Sequence, residues 1–317
     1  MPDILLLDKK EIAMKVFVTG ATGFVGTAVV RELLAQGHQV LGLARSDCSA
    51  DTLGKMGAEV LRGDLEMPET LRHGARTSDG VIHTGFVHDF SRFAEACAID
   101  RTAIETLGTA IESTKKPFIV TAGVAFLDGA GPITVEADPA FPPSGTYPRA
   151  SEAAAMALSN RGIPVNIMRL PPSVHGKGDH GFVPMLIDIA RRTGRSAYIG
   201  DGHNVWPAVH VGDAARAYRF AVERGASAET YHAVAEQGIP FREIAEAIAK
   251  GLGTPCVSLS LAEAQDHFDW FFGFASIGQP ASSDWTRARL HWNPTGPRLL
   301  ADIMYAGYFA ATAGQST

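Results

Sequence analysis

Cysteine is scarce in this chain: Cys48, Cys97 and Cys256 are the only three among 317 residues, an odd number set far apart. That excludes a disulfide framework and a cysteine-rich zinc site, and it suits a reducing, cytoplasmic compartment. Long hydrophobic runs are missing too. The longest early one, Ile4-Leu5-Leu6-Leu7, is flanked by Asp3 and Asp8 and is too short for a signal segment. No stretch approaches the ~18 consecutive apolar residues of a membrane span. Blocks of Lys and Arg are absent, and 28 basic against 34 acidic residues give a net charge of −6, so no nucleic-acid partner is expected. No His, Cys, Asp and Glu cluster has metal-ligand spacing, so no metal is expected. What is present, 46% hydrophobic and 20% charged residues, is a globular composition. At ~100–200 residues per domain the length suits two lobes.

Met14 directly precedes the strand-like Lys15-Val16-Phe17-Val18-Thr19, so residues 1–13 read as a leader or N-terminal extension, with an edge strand or packing arm as the alternative. From there short β-branched runs alternate with helical patterns. Val16–Thr19, Gln39–Ala44, Glu59–Arg62, Val81–His83, Phe118–Val120 and Val165–Arg169 read as strands; Phe24–Ala35, Phe90–Ser113 and Ser151–Arg161 read as helices. Such alternation specifies βαβ crossovers and a doubly wound parallel sheet. The pattern changes after Arg169 to a Pro/Gly loop, a helix over Phe182–Arg192, a strand-like Val209-His210-Val211 and a helix over Asp213–Arg224. Two further helical stretches and a Pro/Gly/Trp-rich tail follow Pro240. The expected division is an α/β domain over 14–170, to which 205–235 returns, and a smaller lobe built from 171–204 and 236–317.

Between the first strand and the first helix lies Thr19-Gly20-Ala21-Thr22-Gly23-Phe24-Val25-Gly26. A lone glycine triplet says little, but a strand before it and a helix after it give the context in which it binds a dinucleotide. Gly20 permits a tight turn, Gly23 lets backbone approach a pyrophosphate, and Gly26 lets the helix pack closely. Free N–H groups at the helix start, Thr22 and Phe24-Val25 among them, then face the phosphates. At the end of the second strand, where NAD-binding folds commonly carry an acid, stand Arg45 and Ser46. An arginine and a hydroxyl suit a 2′-phosphate and so favour NADP, with NAD as the alternative because Asp47 follows.

These residues resemble the extended short-chain dehydrogenase/reductase superfamily, in its NAD-dependent epimerase/dehydratase-like branch. Gly63-Asp64-Leu65, Val81-Ile82-His83, Arg169-Leu170-Pro171-Pro172-Ser173-Val174-His175-Gly176 and Val209-His210-Val211-Gly212-Asp213-Ala214-Ala215 match it as well, over Met14 to about Pro297. The resemblance implies a Rossmann domain, a small C-terminal substrate lobe and often a homodimer. It also implies that Asp64 and Leu65 border the adenine, and that Thr84-Gly85-Phe86 and Pro171-Pro172-Ser173 line the cofactor. The closing segment Ser282-Ser283 to Pro294 resembles the superfamily's, where the serines would cap a helix.

The usual catalytic pair is missing. The superfamily places Tyr-x-x-x-Lys on a helix because a nearby ammonium lowers the phenol from a pKa of ~10, so that it can pass a proton to a carbonyl. Here Tyr147 precedes Pro148, which disfavours helical backbone at the tyrosine, and Ser151 falls at the lysine place. A second register, anchored on Glu152, puts Arg149 close to the lysine and leaves Ser144 or Gly145 near the tyrosine. After the fifth strand one hydroxyl, Thr121, is kept. Candidates for the chemistry are therefore Tyr147, Thr121, Arg149 (to polarise a carbonyl) and His180, which titrates near neutrality without a lysine. His175, at the other end of the Gly176-Lys177-Gly178-Asp179 loop, is open to the same two readings as His180, proton donor or plain loop histidine, whereas His83 and His88 read more simply as core or loop histidines. The aromatic run His267–Phe274 reads as lobe core or as an apolar pocket wall.

The combined reading is an NADP-dependent oxidoreductase that acts on a small carbonyl or alcohol. A nucleotide-sugar epimerase or dehydratase, and a non-catalytic NADP-binding sensor, are the alternatives, since fold alone cannot choose between them.

Overall fold

Every strand of the main sheet is parallel to its neighbours, which buries both faces and explains why its strands are nearly continuous in apolar residues. The computed structural model describes residues 13–310 except Phe126, Ala130 and the side chain of Phe90. The leader expected over residues 1–13 therefore lies, Ala13 apart, outside the described residues. The elements are β1 (Lys15–Thr19), α1 (Phe24–Ala35), β2 (Gln39–Ala44), α2 (Asp47–Met56), β3 (Glu59–Arg62), α3 (Pro68–Arg76), β4 (Gly80–His83), α4 (Phe93–Ala110), β5 (Phe118–Gly123), α5 (Ser151–Asn160) and β6 (Val165–Leu170). They continue with β7 (Ser173–His175), α6 (Phe182–Thr193), β8 (Ser196–Ile199), β9 (Val205–His210), α7 (Val211–Arg224), β10 (Thr230–His232) and β11 (Glu236–Pro240). The last are α8 (Phe241–Leu252), β12 (Cys256–Leu259), α9 (Leu261–Phe268), α10 (Phe272–Ala275), α11 (Asp284–Leu290) and α12 (Leu299–Tyr305).

The seven-stranded sheet runs β10-β6-β5-β4-β1-β2-β3. Its order reverses between β1 and β4, the switch point outside whose carboxyl ends such sheets bind ligands. Strand periodicity sorts the core into two layers. Val16, Val18, Ile82 and Ile119 pack with α1 and α7 residues such as Val29, Leu33 and Tyr218. Phe17, Val81, Phe118 and Val120 pack on the opposite side with Leu71, Leu107 and Leu158 from α3, α4 and α5. A third cluster, built round Trp206, Phe241, Phe268 and Phe271, forms the core of the C-terminal region.

Several local expectations need correction. The helix expected over Phe90–Ser113 starts as a 3-10 turn, Phe90–Arg92, and is α-helical over Phe93–Ala110. The proline- and glycine-rich stretch after Leu170 is not all loop, because β7 pairs in parallel with β9. Of the return over 205–235, β10 joins the large sheet, whereas β9 sits between β11 and β7 in a separate three-stranded sheet. The serines before α11 divide their work: Ser282 Oγ accepts the Asp284 N–H at 3.1 Å, but Ser283 Oγ donates to the Val234 carbonyl and caps nothing. Among the described residues no helix is long and apolar enough to cross a membrane, and no group of His, Cys, Asp and Glu could hold a metal.

Candidate active site

The glycine turn is shaped by close backbone approach. Gly20 has φ +66°, and a Cβ there would lie 2.6 Å from the Gly85 nitrogen; a Cβ on Gly26 would lie 2.0 Å from the Gly20 carbonyl oxygen. Neither position accepts a side chain without moving backbone. Gly23 is the N-cap of α1, whose first turn has no side-chain cap and no acidic residue. The amides at the start of this helix thus face outward into a positive dipole end, and the residues fit the diphosphate of a dinucleotide.

That turn forms one wall of a cavity of about 360 Å³. Of the residues expected at the cofactor, Gly20, Gly23, Phe24, Val25, Gly26, Thr84, Gly85, Phe86, Pro171 and Pro172 line it; of those expected to do chemistry, Thr121, Tyr147, Arg149 and His180 all do. The remainder lie elsewhere. Ser173 is buried and its hydroxyl has no partner among the described residues. Asp64 accepts the Glu66 N–H at 2.9 Å as a turn acid, while Leu65 packs its Cδ2 toward Gly85. Thr22 Oγ1 reaches Ser49 Oγ, and Ser46 caps α2 by accepting the Ser49 N–H at 3.2 Å. Arg45 is exposed beside them. Asp47 is paired with Arg62, which also donates to the Ser46 carbonyl at 2.6 Å.

The catalytic candidates are not equivalent. Thr121 Oγ1 donates to the His83 carbonyl at 2.7 Å and lies 2.7 Å from the hydroxyl of the fully buried Tyr218. Its proton is committed to the backbone, which leaves Thr121 as an acceptor for Tyr218. Tyr147 stands four residues ahead of α5, at the helix entrance as Pro148 requires. Burial raises its phenol above the ordinary value, and the Arg149 charge pulls the other way. Arg149 sits over the Phe86 ring with its guanidinium carbon 4.6 Å from the centroid. His180 is exposed, with its ring edge-on to Phe24 at 6.0 Å. Its loop is anchored by Asp179, whose carboxylate takes the Gly181 N–H at 2.6 Å and the Tyr308 hydroxyl at 2.8 Å. Burial raises the Asp179 carboxyl.

Glu152, the anchor of the second register, is occupied elsewhere, by the buried Arg169. The aromatic run serves both expected roles: Phe268 and Phe271 are buried in the lobe core, and Phe274 joins Phe182, Met185 and Ile277 on the lobe side of the cavity. Two buried groups on the cavity wall were not singled out by sequence as chemistry. His83 had read as a core histidine and Asp100 carried no motif, yet His83 Nε2 lies 3.1 Å from Asp100 Oδ1. Burial by itself would raise the Asp100 carboxyl; the His83 bond, the Arg149 charge and the Ser151 hydroxyl outweigh it and hold the group below the usual carboxylate range. Only the i, i+3, i+7 spacing of Asp100 with Ala103 and Leu107, all three buried on α4, hints in the sequence that this acid faces inward.

Comparison with known proteins agrees with the fold. The profile of the NAD dependent epimerase/dehydratase family matches residues 16–234, and the chain belongs to that family. An uncharacterized protein of Schizosaccharomyces pombe is 45% identical over 93% of this chain and 100% of its own length. The 2-alkyl-3-oxoalkanoate reductase of Stenotrophomonas maltophilia is 27% identical over 91% of this chain and 88% of its own. Among solved structures, the dTDP-glucose 4,6-dehydratase DesIV of Streptomyces venezuelae, a double mutant with NAD bound, superposes with a TM-score of 0.74 at 18% identity, covering 94% of this chain and 97% of that one. At that identity the likeness shows the fold.

Proposed function

From this membership in a nicotinamide-dependent family, we propose that the protein is an NADP-preferring oxidoreductase that reduces a small, largely apolar carbonyl compound, with Tyr147 as proton donor and Arg149 as its neighbouring cation. The observation that carries the reading is a single cavity with the glycine turn on one wall and Tyr147 and Arg149 on another. The dinucleotide supplies the hydride; everything else falls to the chain. Amides at the start of α1 hold the diphosphate, and the aliphatic and aromatic wall of Phe182, Met185, Phe274 and Ile277 excludes water and orients an apolar substrate. Tyr147 Oη, neutral at working pH, gives its proton to the developing alkoxide, and the Arg149 charge stabilises the phenolate left behind.

The apolar lobe wall favours this over a nucleotide-sugar reaction. Arg191 and Arg192, the obvious candidates for a second diphosphate clamp, lie on α6 outside the cavity, and Arg191 is paired with Asp188. Three features favour NADP. Arg45 stands where a ribose acid would, the hydroxyls of Thr22, Ser46 and Ser49 cluster at the start of the next helix, and Arg62 pairs with Asp47. The Stenotrophomonas relative is a 2-alkyl-3-oxoalkanoate reductase, which supports a reduction by this chain as well.

The test is NADPH oxidation with a panel of ketones, aldehydes and imines, run on wild type, Tyr147→Phe and His180→Ala. Loss of the proton donor should cost ~10²–10⁴-fold in kcat, and His180→Ala should keep most of it. Undiminished turnover by Tyr147→Phe would remove it as the acid; tight NADPH binding with no turnover on any substrate would favour the sensor.

A further inference from the structure

Along the cavity wall, contacts between β1, β4, α4 and the start of α5 close into a ring. Thr19 Oγ1 lies 2.7 Å from His83 Nδ1, and His83 Nε2 lies 3.1 Å from Asp100 Oδ1. Ser151 Oγ donates to Asp100 Oδ2 at 2.6 Å, and Arg149 Nε donates to Ser151 Oγ at 3.2 Å. The guanidinium then stacks on Phe86, the neighbour in sequence of Gly85, whose N–H returns to Thr19 Oγ1 at 3.3 Å. His83, Asp100 and Ser151 are 1%, 2% and 1% exposed.

The direction of each bond follows from donor chemistry. Arg149 Nε can only donate, so the Ser151 hydroxyl accepts from it and spends its own proton on Asp100. As a carboxylate, Asp100 must also receive the Nε2 proton of His83; a neutral imidazole then accepts at Nδ1 from Thr19. Both arms thus point into Asp100. A proton entering one arm has no way out through the other, so the ring fixes positions and does not conduct protons. Burying a carboxylate is costly unless it is paired, and simple packing between α4 and the sheet would not require one.

We infer that Asp100, His83 and Ser151 are positioning residues that hold the Arg149 guanidinium beside Tyr147 in the cavity. The inference rests on the Tyr147 reading of the function. Among the titratable groups acting on Tyr147 are Arg149, Cys97 and Glu152. Burial raises the Cys97 thiol and so keeps it uncharged at neutral pH, and Glu152 is engaged with Arg169. Around Arg149 itself stand Asp100, His88 and Tyr218. Of these, Arg149 is the one that carries a positive charge and favours the phenolate. It is held from one side by Ser151 and from the other by Phe86.

Two readouts test this on the full chain. In ¹⁵N-arginine-labelled protein, the Arg149 Nε–H resonance, identified by its disappearance in Arg149→Met, should exchange with solvent at least tenfold faster in Ser151→Ala and return to the wild-type rate in Ser151→Thr. In the turnover assay, Ser151→Ala and Asp100→Asn should lower kcat at least tenfold and change the basic limb of its pH profile, while NADPH affinity stays within about twofold; Ser151→Thr should recover kcat. An Arg149 resonance indifferent to Ser151→Ala overturns the inference, with or without a substrate in hand. So does unchanged kcat in Ser151→Ala when Tyr147→Phe is dead. Retained turnover in Tyr147→Phe instead overturns the proton-donor reading, and the two failures are distinguishable.

Discussion

His232 should make the protein lose stability as the pH falls from 6.5 toward 4. The residue ends β10, is 0% exposed, and its Nε2 lies 3.1 Å from Arg169 Nη1. A guanidinium has no lone pair to offer, so Nε2 must accept; Nδ1 then carries the proton and donates to the Ser282 carbonyl at 2.8 Å. Protonating Nε2 would set an N–H against an N–H inside the protein. Burial first, then the Arg169 charge, lower the imidazole from 6.5 to about 4. The unfolded chain thus takes up a proton near pH 6.5, which the folded chain refuses until about pH 4. The stabilising contribution is complete above pH 6.5 and fades as the pH drops through that window. Two to three pH units at ~1.36 kcal/mol each correspond to ~3 kcal/mol. Urea unfolding of wild type and His232→Gln at pH 7.5 and pH 4.5 measures it, since glutamine can keep both hydrogen bonds but does not titrate. Wild type should lose ~2–3 kcal/mol more than the variant between the two conditions. Parallel losses would refute the assigned tautomer and the burial argument together.

The dinucleotide cradle yields further predictions. Gly26→Ala places a methyl 2.0 Å from the Gly20 oxygen, a contact only backbone movement relieves; overpacking of ~1–3 kcal/mol should weaken both coenzymes by ~10–100-fold, read by calorimetry, and unaltered affinity would show that the turn does not hold them. Arg45→Asp should weaken NADPH at least tenfold and leave NADH within about twofold, while Arg62→Ala, by releasing Asp47, should shift the preference in the same direction; equal effects on both coenzymes would contradict the 2′-phosphate assignment.

The sequence alone carried the parts of this protein whose physics is local. A strand, a glycine turn and a helix are contiguous in the chain, so residues 15–35 announced both the fold and the place of the diphosphate. The alternation of apolar strands with helical periods specified the parallel sheet, and β2, β3 and α1 have the bounds that their patterns predicted. Helices α2 and α3 are too polar for periodicity to reveal them, and their local signals are the Ser46 cap and Pro68 in the first turn. Short strands were harder to read. β8 pairs with β12 across more than fifty residues, and β7 acquires its partner only when β9 returns from a distant part of the chain, so neither has a pattern of its own.

Chemistry that depends on distance was decided by the tertiary structure. Only its helical spacing with Ala103 and Leu107 sets Asp100 apart from the other acids of its helix; it becomes a buried, paired carboxylate because the β4–α4–β5 crossover lays α4 over the end of β4, where His83 waits. Thr121, a donor by residue type, loses its proton to a backbone carbonyl one strand away, while Arg149 gains Ser151 on one side and Phe86, from the loop after β4, on the other. Sequence can say which groups are able to react. Folding decides which of them are left with a proton to give and a charge beside them, because hydrogen-bond partners and dielectric are properties of the packed interior.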